Sequence, residues 1–186
     1  MLRITGGILR GKKLFGPKGL EFRPATGQVR QYIFNLYRNE LFNTRFLDLF
    51  SGTGSFGLEA LSRGAGECVF IEKSIPHVRL LKKNVGICGF LEKAIILTDD
   101  VFIALTDLGK RFGSFDFIFA DPPFKESLRS KIASAVSQNK LLKANGVLII
   151  EHDFRDQDGI QPDLVLERQK RFGHCAISIY SHERIK

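Results

Sequence analysis

Two separated stretches carry side chains whose types and order suit chemistry: Asp48-Leu49-Phe50-Ser51-Gly52-Thr53-Gly54-Ser55-Phe56-Gly57 and Asp121-Pro122-Pro123-Phe124. In the first, Gly52-x-Gly54-x-x-Gly57 has the spacing of a strand-to-helix turn whose backbone can approach a ligand that a Cβ would exclude. The same spacing marks dinucleotide-binding enzymes, and glycines there can also serve close strand–helix packing. Asp48, four residues before Gly52, helps to separate these readings. A carboxylate in the strand can hold an ammonium group, directly or through water, whereas it would repel a pyrophosphate. The loop therefore suits a nucleotide-like cofactor that also carries an amino acid.

In the second stretch the prolines fix φ and remove two backbone donors, so the turn presents an ordered carboxylate and outward carbonyls. That arrangement suits a substrate that donates hydrogen bonds. An exocyclic amine has two N–H bonds; Asp121 Oδ and the Pro122 carbonyl can take both, leaving the nitrogen lone pair for in-line attack on a methyl sulfonium. Phe124 can stack on the base, as aromatic side chains do with unpaired bases. A rigid Asp-Pro turn followed by a core phenylalanine is the plain structural alternative.

Glu72 ends an apolar run, where an acid can accept hydrogen bonds from both hydroxyls of a ribose or can be a charge at a wet strand end. Asp99-Asp100 follows another run; one carboxylate could accept from an adenine amino group, with Asp100 preferred, or could cap a helix.

These residues must be held by an alternating framework. Apolar runs of strand length occur at 46–50, 67–71, 94–97, 115–120 and 147–150, and read as buried parallel strands. Helix-like segments lie between them: 55–63, a Ser74-capped stretch to Gly86, 101–110 and 126–138. Strand and helix in alternation imply a doubly wound α/β sheet. Runs 164–169 and 175–181, separated by Arg171-Phe172-Gly173-His174, suit a closing antiparallel hairpin. Thr26 can cap an earlier helix carrying Val29, Ile33 and Leu41 inward, with Arg30, Arg38 and Glu40 on its outer face. Residues 1–24, with Gly6-Gly7, Gly11 and Gly16-Pro17, suit a small hairpin or extended arm.

A chain of 186 residues suits one core. Its formal charge of +8 points to a polyanionic partner. The charge is concentrated: residues 1–30 hold seven cations against the single acid Glu21, which is six of the eight net charges. Phosphate binding by this segment is favoured over a merely solvated basic face. Cys68, Cys88 and Cys175 include no C-x-x-C pair, and no histidine has a second ligand at metal spacing, so neither disulfides nor a metal site are expected. No apolar run approaches the ~18 residues needed to cross a bilayer. A cytoplasmic monomer without membrane association is expected.

The motifs together resemble class I S-adenosylmethionine-dependent methyltransferases, with their D-x-F-x-G-x-G loop and D-P-P-[FY] turn. More closely, Arg3-Ile4-x-Gly6-Gly7 with Arg10-Gly11, Arg23-Pro24 through Val29-Arg30, Phe34-Asn35, and 57–65 are similar to the bacterial 16S rRNA (guanine(966)-N(2))-methyltransferase family. The resemblance implies a Rossmann-like, seven-stranded, mostly parallel sheet with a C-terminal antiparallel hairpin. It implies S-adenosylmethionine as cofactor, and 16S ribosomal RNA in the small subunit or its assembly intermediate as partner. Cofactor positions are implied at Asp48, Gly52, Gly54, Glu72 and Asp100, with Phe50, Ser51, Lys73 and Val101 completing the set. Catalytic positions are Asp121, Pro122, Pro123 and Phe124. Residues 1–24 become an RNA-binding arm ahead of a methyltransferase domain at 25–186, with Arg3, Arg10, Lys12, Lys13, Arg23 and Arg30 on phosphates. The family's R-P-T-[TS]-D-x-V-R-E pattern has two acids where this chain has Gly27 and Gln31. Three other readings stay open: a DNA adenine-N6 or cytosine-N4 methyltransferase, a nicotinamide oxidoreductase, and a non-catalytic RNA-binding protein.

Overall fold

A computed structural model of the chain describes residues 2–17, 24–123, 128–156 and 164–182. In chain order the elements are α1 (Pro24–Leu36), β1 (Arg45–Leu49), α2 (Ser55–Ser62), β2 (Glu67–Ile71), α3 (Ile75–Cys88), β3 (Ala94–Leu97), α4 (Val101–Phe112), β4 (Phe115–Ala120), α5 (Arg129–Gln138), β5 (Leu142–Asp153), β6 (Val165–Phe172) and β7 (Cys175–Ser181). They form a seven-stranded sheet in the order β3-β2-β1-β4-β5-β7-β6. Strands β1 to β5 pair in parallel and β7 runs antiparallel to both neighbours. The chain steps outward from β1 to β3, then returns to place β4 on the other side of β1. That reversal leaves a crevice at the carboxyl edge, where sheets of this kind bind ligands.

Continuous apolar runs make both faces of the parallel strands dry, so helices must cover each face. On one face Phe46, Phe70, Phe117 and Phe119 pack with α1, α2 and α3; on the other, Leu47, Val69 and Ile118 pack with α4 and α5. Many of the phenylalanines are thus accounted for by one layer, where Phe56 stacks on Phe119. No helix among the described residues is long and apolar enough to cross a membrane.

The N-terminal segment is a hairpin, with Ile4 N–H donating to Lys12 O and Gly11 N–H to Ile4 O, and a short 3-10 turn at Gly7–Leu9. It is docked rather than extended: Ile4 and Leu14 are buried in the same cluster as α1 and α2. Helix α1 begins at Pro24, two residues before the expected Thr26 cap, because proline's fixed φ suits a first helical turn. Strand β5 is longer than the run 147–150: it starts at Leu142, with a register shift against β4 between Leu142 and Val147. The closing turn is only Gly173-His174, with Gly173 in the left-handed region at φ 62°, so Arg171 and Phe172 belong to β6.

Candidate active site

The loop after β1 is shaped by positive φ angles. Gly52 (φ 54°) and Gly54 (φ 77°) adopt the left-handed region, and Gly54 then caps α2. A Cβ on Gly52 would meet nothing within 4 Å, so that backbone faces open space, whereas one on Gly57 would lie 2.3 Å from Phe70. The outer glycine serves helix–strand packing; the first serves the cleft. Phe50 also sits at positive φ (57°), a conformation costing a non-glycine residue about 1–3 kcal/mol, and its place in the cleft wall is where such strain tends to be kept.

The cleft has a volume of about 550 Å³ and is lined by Phe50, Gly52, Glu72, Lys73, Ser74, His77, Asp99, Val101, Asp121, Pro122 and Pro123. The ends of β1, β2, β3 and β4 each contribute. Glu72 organises the floor: Oε2 accepts from Gly52 N at 2.8 Å and Oε1 from Ser74 N at 2.7 Å. Asp48 is 2% exposed, and its Oδ2 accepts from Gly57 N at 2.9 Å, tying the strand to the start of α2. Burial pushes the Asp48 carboxyl well above the ordinary carboxylate range; the Gly57 N–H opposes this, while the charges of Asp121 and Glu72 add to it. Asp48 lies behind the cleft lining; the carboxylates that line it are Glu72, Asp99 and Asp121, with Lys73 exposed at its margin, which favours a cationic ligand.

Of the residues expected to hold a cofactor, Phe50, Gly52, Glu72, Lys73 and Val101 line this cleft. Ser51 instead links strands, donating from Oγ to Asp48 O at 2.6 Å and lying 3.1 Å from Ile71 O. The structure divides the Asp99-Asp100 pair. Asp100 Oδ1 caps α4 by accepting from Phe102 N at 3.0 Å and Oδ2 lies 3.3 Å from Lys73 Nζ, while its neighbour Asp99 lines the cleft. Partial burial disfavours the Asp100 charge, but the Phe102 N–H and Lys73 outweigh it and hold the carboxyl below its usual range. Asp121, Pro122 and Pro123 line the cleft; Phe124 lies outside the described residues.

The basic set divides. Arg3, Arg10, Lys12 and Lys13 are exposed on the hairpin, and Arg23 lies outside the described residues. Arg30 is not an RNA contact: it is 2% exposed, donates to Arg3 O at 2.7 Å and lies 3.7 Å from the buried Glu59. It therefore faces the core and not the outer side of α1. The hairpin's turn rests on Ser62 at the far end of α2, roughly 10 Å below the glycine loop.

A family model described as Conserved hypothetical protein 95 matches residues 2–181. The chain belongs to this family. "Putative rRNA methyltransferase YlbH" of Bacillus subtilis is 31% identical over 180 residues, covering 96% of this chain and 98% of that protein. "Ribosomal RNA small subunit methyltransferase D" of Escherichia coli is 29% identical over 183 residues, covering 98% and 90%. A solved structure, "Putative methyltransferase yhhF" from Escherichia coli, matches with a TM-score of 0.86 at 31% identity over 97% of both chains. The expected Rossmann-like class I methyltransferase fold is thus the observed one.

In this member of the Conserved hypothetical protein 95 family, Ser74 and His77 of the cleft and the buried Asn84 behind it were not expected from sequence as site residues, and Asp99 was the less favoured of its pair. Ser74, His77 and Asp99 line the cleft. His77 lies in the first turn of α3, just past a strand-end acid, and that position was the available signal. Asn84 is 0% exposed and joins two segments: its Nδ2 donates to Phe15 O at 3.0 Å and Thr53 O at 2.9 Å, and its Oδ1 accepts from Phe15 N at 2.7 Å. An amide on the apolar face of α3, near Leu81 and Val85, was its only trace.

The Asp48 environment makes stability depend on pH. A carboxyl with a raised folded pKa binds its proton more tightly in the folded chain, so stability falls as pH rises from the unfolded value near 3.8 through the folded value. Asp48→Asn is expected to remove that fall and to stabilise the ligand-free protein at neutral pH. Urea unfolding across this range is the measurement; an unchanged pH slope would contradict it.

Proposed function

We propose that this member of an rRNA-methyltransferase family transfers a methyl group from S-adenosylmethionine to the exocyclic N2 amine of a guanine in 16S ribosomal RNA of the small subunit. The observation carrying this reading is the convergence of the glycine loop, the strand-end acids and the Asp121-Pro122-Pro123 turn on one cleft. Relatives named as methyltransferases of small-subunit ribosomal RNA support the substrate class.

The residues present fit the cofactor. Open space above Gly52 admits a ligand against the backbone, carboxylates suit its ammonium and sulfonium charges, and Phe50 and Val101 offer apolar walls to a base. Asp48 is assigned to the ammonium group. Each Glu72 oxygen retains a lone pair beyond its backbone contact and can accept from a ribose hydroxyl. Asp99 is assigned to the adenine amino group in place of Asp100. When bound, S-adenosylmethionine supplies an electrophilic methyl group on its sulfonium.

Asp121 and the Pro122 carbonyl accept the two N–H bonds of the guanine amine and aim its lone pair, so that positioning is their main contribution. The amine is weakly basic, so its proton leaves late, to Asp121 or to water. Phe124 is assigned to stacking on the base, which must be unpaired or flipped to reach Asp121. Arg3, Arg10, Lys12 and Lys13 supply phosphate contacts.

The test is transfer of labelled methyl to unmethylated small subunits, naked 16S RNA and duplex DNA, with nucleoside analysis. N2-methylguanosine in the ribosomal substrates is expected. Label found in DNA alone, as an N6- or N4-methylated base, would overturn the assignment.

A further inference from the structure

The open edge of the sheet carries cations and aromatic rings that the cleft does not use. Strand β6 is outermost, and from Val165 to Arg171 its residues are exposed. Its register sets Arg168, Lys170 and Phe172 opposite Ile179, Ile177 and Cys175, which belong to the core face covered by α1. There they meet Tyr32 of α1. Lys170 Nζ is 4.5 Å from the Tyr32 ring centre and 5.8 Å from that of Phe172, Arg168 Nη1 donates to Tyr32 Oη at 3.4 Å, and the two rings meet edge to face at 5.5 Å. On the other face the Arg171 guanidinium lies 3.6 Å from the Phe154 ring centre. The one acid of the strand, Glu167, accepts from Ser181 Oγ on β7. Because β6 runs in the direction of β5, Phe172 and the Gly173-His174 turn reach the same sheet edge as Asp121.

We propose that β6, with Tyr32, Phe154 and Phe172, forms a second RNA-contact surface that holds a single-stranded segment of the substrate beside the cleft. The inference rests on the reading of the substrate as ribosomal RNA. An edge strand needs only scattered charge to avoid pairing with other chains. Here cations outnumber the single acid three to one, Lys170 and Arg171 are placed over rings, and the end of the strand adjoins the edge at which the base must enter. Cations for phosphates beside rings for bases are the two components of single-strand recognition. The N-terminal hairpin, packed on α2, lies on a different part of the molecule, so this surface adds contacts rather than extending that one.

The test uses the full-length protein and naked 16S RNA, with the dissociation constant measured as a function of salt. Lys170→Ala/Arg171→Ala is expected to weaken binding roughly tenfold and to lower the salt slope by about 1.4 for two lost phosphate contacts. The charge-matched control Lys110→Ala/Lys140→Ala, at the carboxyl ends of α4 and α5, should behave as wild type. Phe154→Leu, which keeps apolar bulk and loses the ring, should weaken binding roughly tenfold with an unchanged slope. In the unsubstituted protein, photocrosslinking to 4-thiouridine-containing RNA should label residues 164–174, a readout independent of whether any variant folds. Labelling confined to the N-terminal hairpin, or a Lys170/Arg171 variant that matches its control, overturns this inference alone. Absence of binding and methyl transfer to ribosomal RNA by the wild-type protein overturns the function on which it rests.

Discussion

Asp121→Ala is expected to slow methyl transfer to small ribosomal subunits by roughly 10²-fold or more while leaving cofactor affinity near wild type, by analogy with removal of one preorganised polar contact. Asp121 follows the last residue of β4 and lines the cleft with Pro122, whereas the glycine loop and Glu72 belong to the ends of β1 and β2. Truncation removes the acceptor that orients the amine without disturbing the Glu72 contacts to Gly52 and Ser74. Asp121→Asn should fall between the two, because an amide keeps one acceptor oxygen but cannot take the departing proton. Single-turnover rates at saturating cofactor separate the effect from binding. A variant with unchanged turnover would remove Asp121 from the mechanism.

The second large effect concerns stability. Glu59→Ala is expected to cost about 3–5 kcal/mol, read from urea unfolding. Glu59 is 0% exposed and its carboxylate accepts from Thr5 N at 2.7 Å, Thr5 Oγ1 at 2.7 Å and Arg63 Nε at 2.9 Å, with Arg30 Nε at 3.7 Å. It joins the hairpin, α1 and α2 at one point. Removing it strands the Arg30 charge where burial already disfavours it, pulling its pKa below the ordinary arginine value, and where Nε and Nη1 have no hydrogen-bond acceptor among the described residues. Replacing both partners, as in Arg30→Met/Glu59→Gln, should recover part of the loss, because no uncompensated charge is left. Backbone exchange at Ile4 and Thr5 should quicken most in Glu59→Ala, since their hairpin loses its anchor. A loss below about 1 kcal/mol would mean that the pair is not the buried ionic centre its geometry implies.

The parallel strands and the helices between them were legible because each is a local pattern. An apolar run of strand length can satisfy both faces only inside a covered sheet, and glycine or proline marks its end; the segment Glu67–Ile71 was readable to the residue. Where pairing overrode the local pattern, the reading fell short. The apolar run 147–150 is only the centre of β5, which starts at Leu142 across a register shift against β4. Arg171 and Phe172 look like loop, yet β7 draws them into the ladder as far as Cys175.

By itself the sequence determined which residue types reach the cleft: a glycine turn after Asp48, an acid following the second strand, and an Asp-Pro-Pro turn following the fourth are properties of single elements, and parallel topology carries all of them to one edge. Only the tertiary structure decided between neighbouring or chemically similar residues. It assigned Asp100 to a helix cap and Asp99 to the cleft, since the φ and ψ that start α4 aim one carboxylate inward along the helix axis. It withdrew Arg30 from the surface, because the docked hairpin covers that side of α1 and Glu59 supplies the opposing charge. It brought Asn84 to Thr53 and Phe15, contacts between residues far apart in the chain that no local pattern encodes. Burial and partner choice arise from packing between elements, so they become visible only once the elements are assembled.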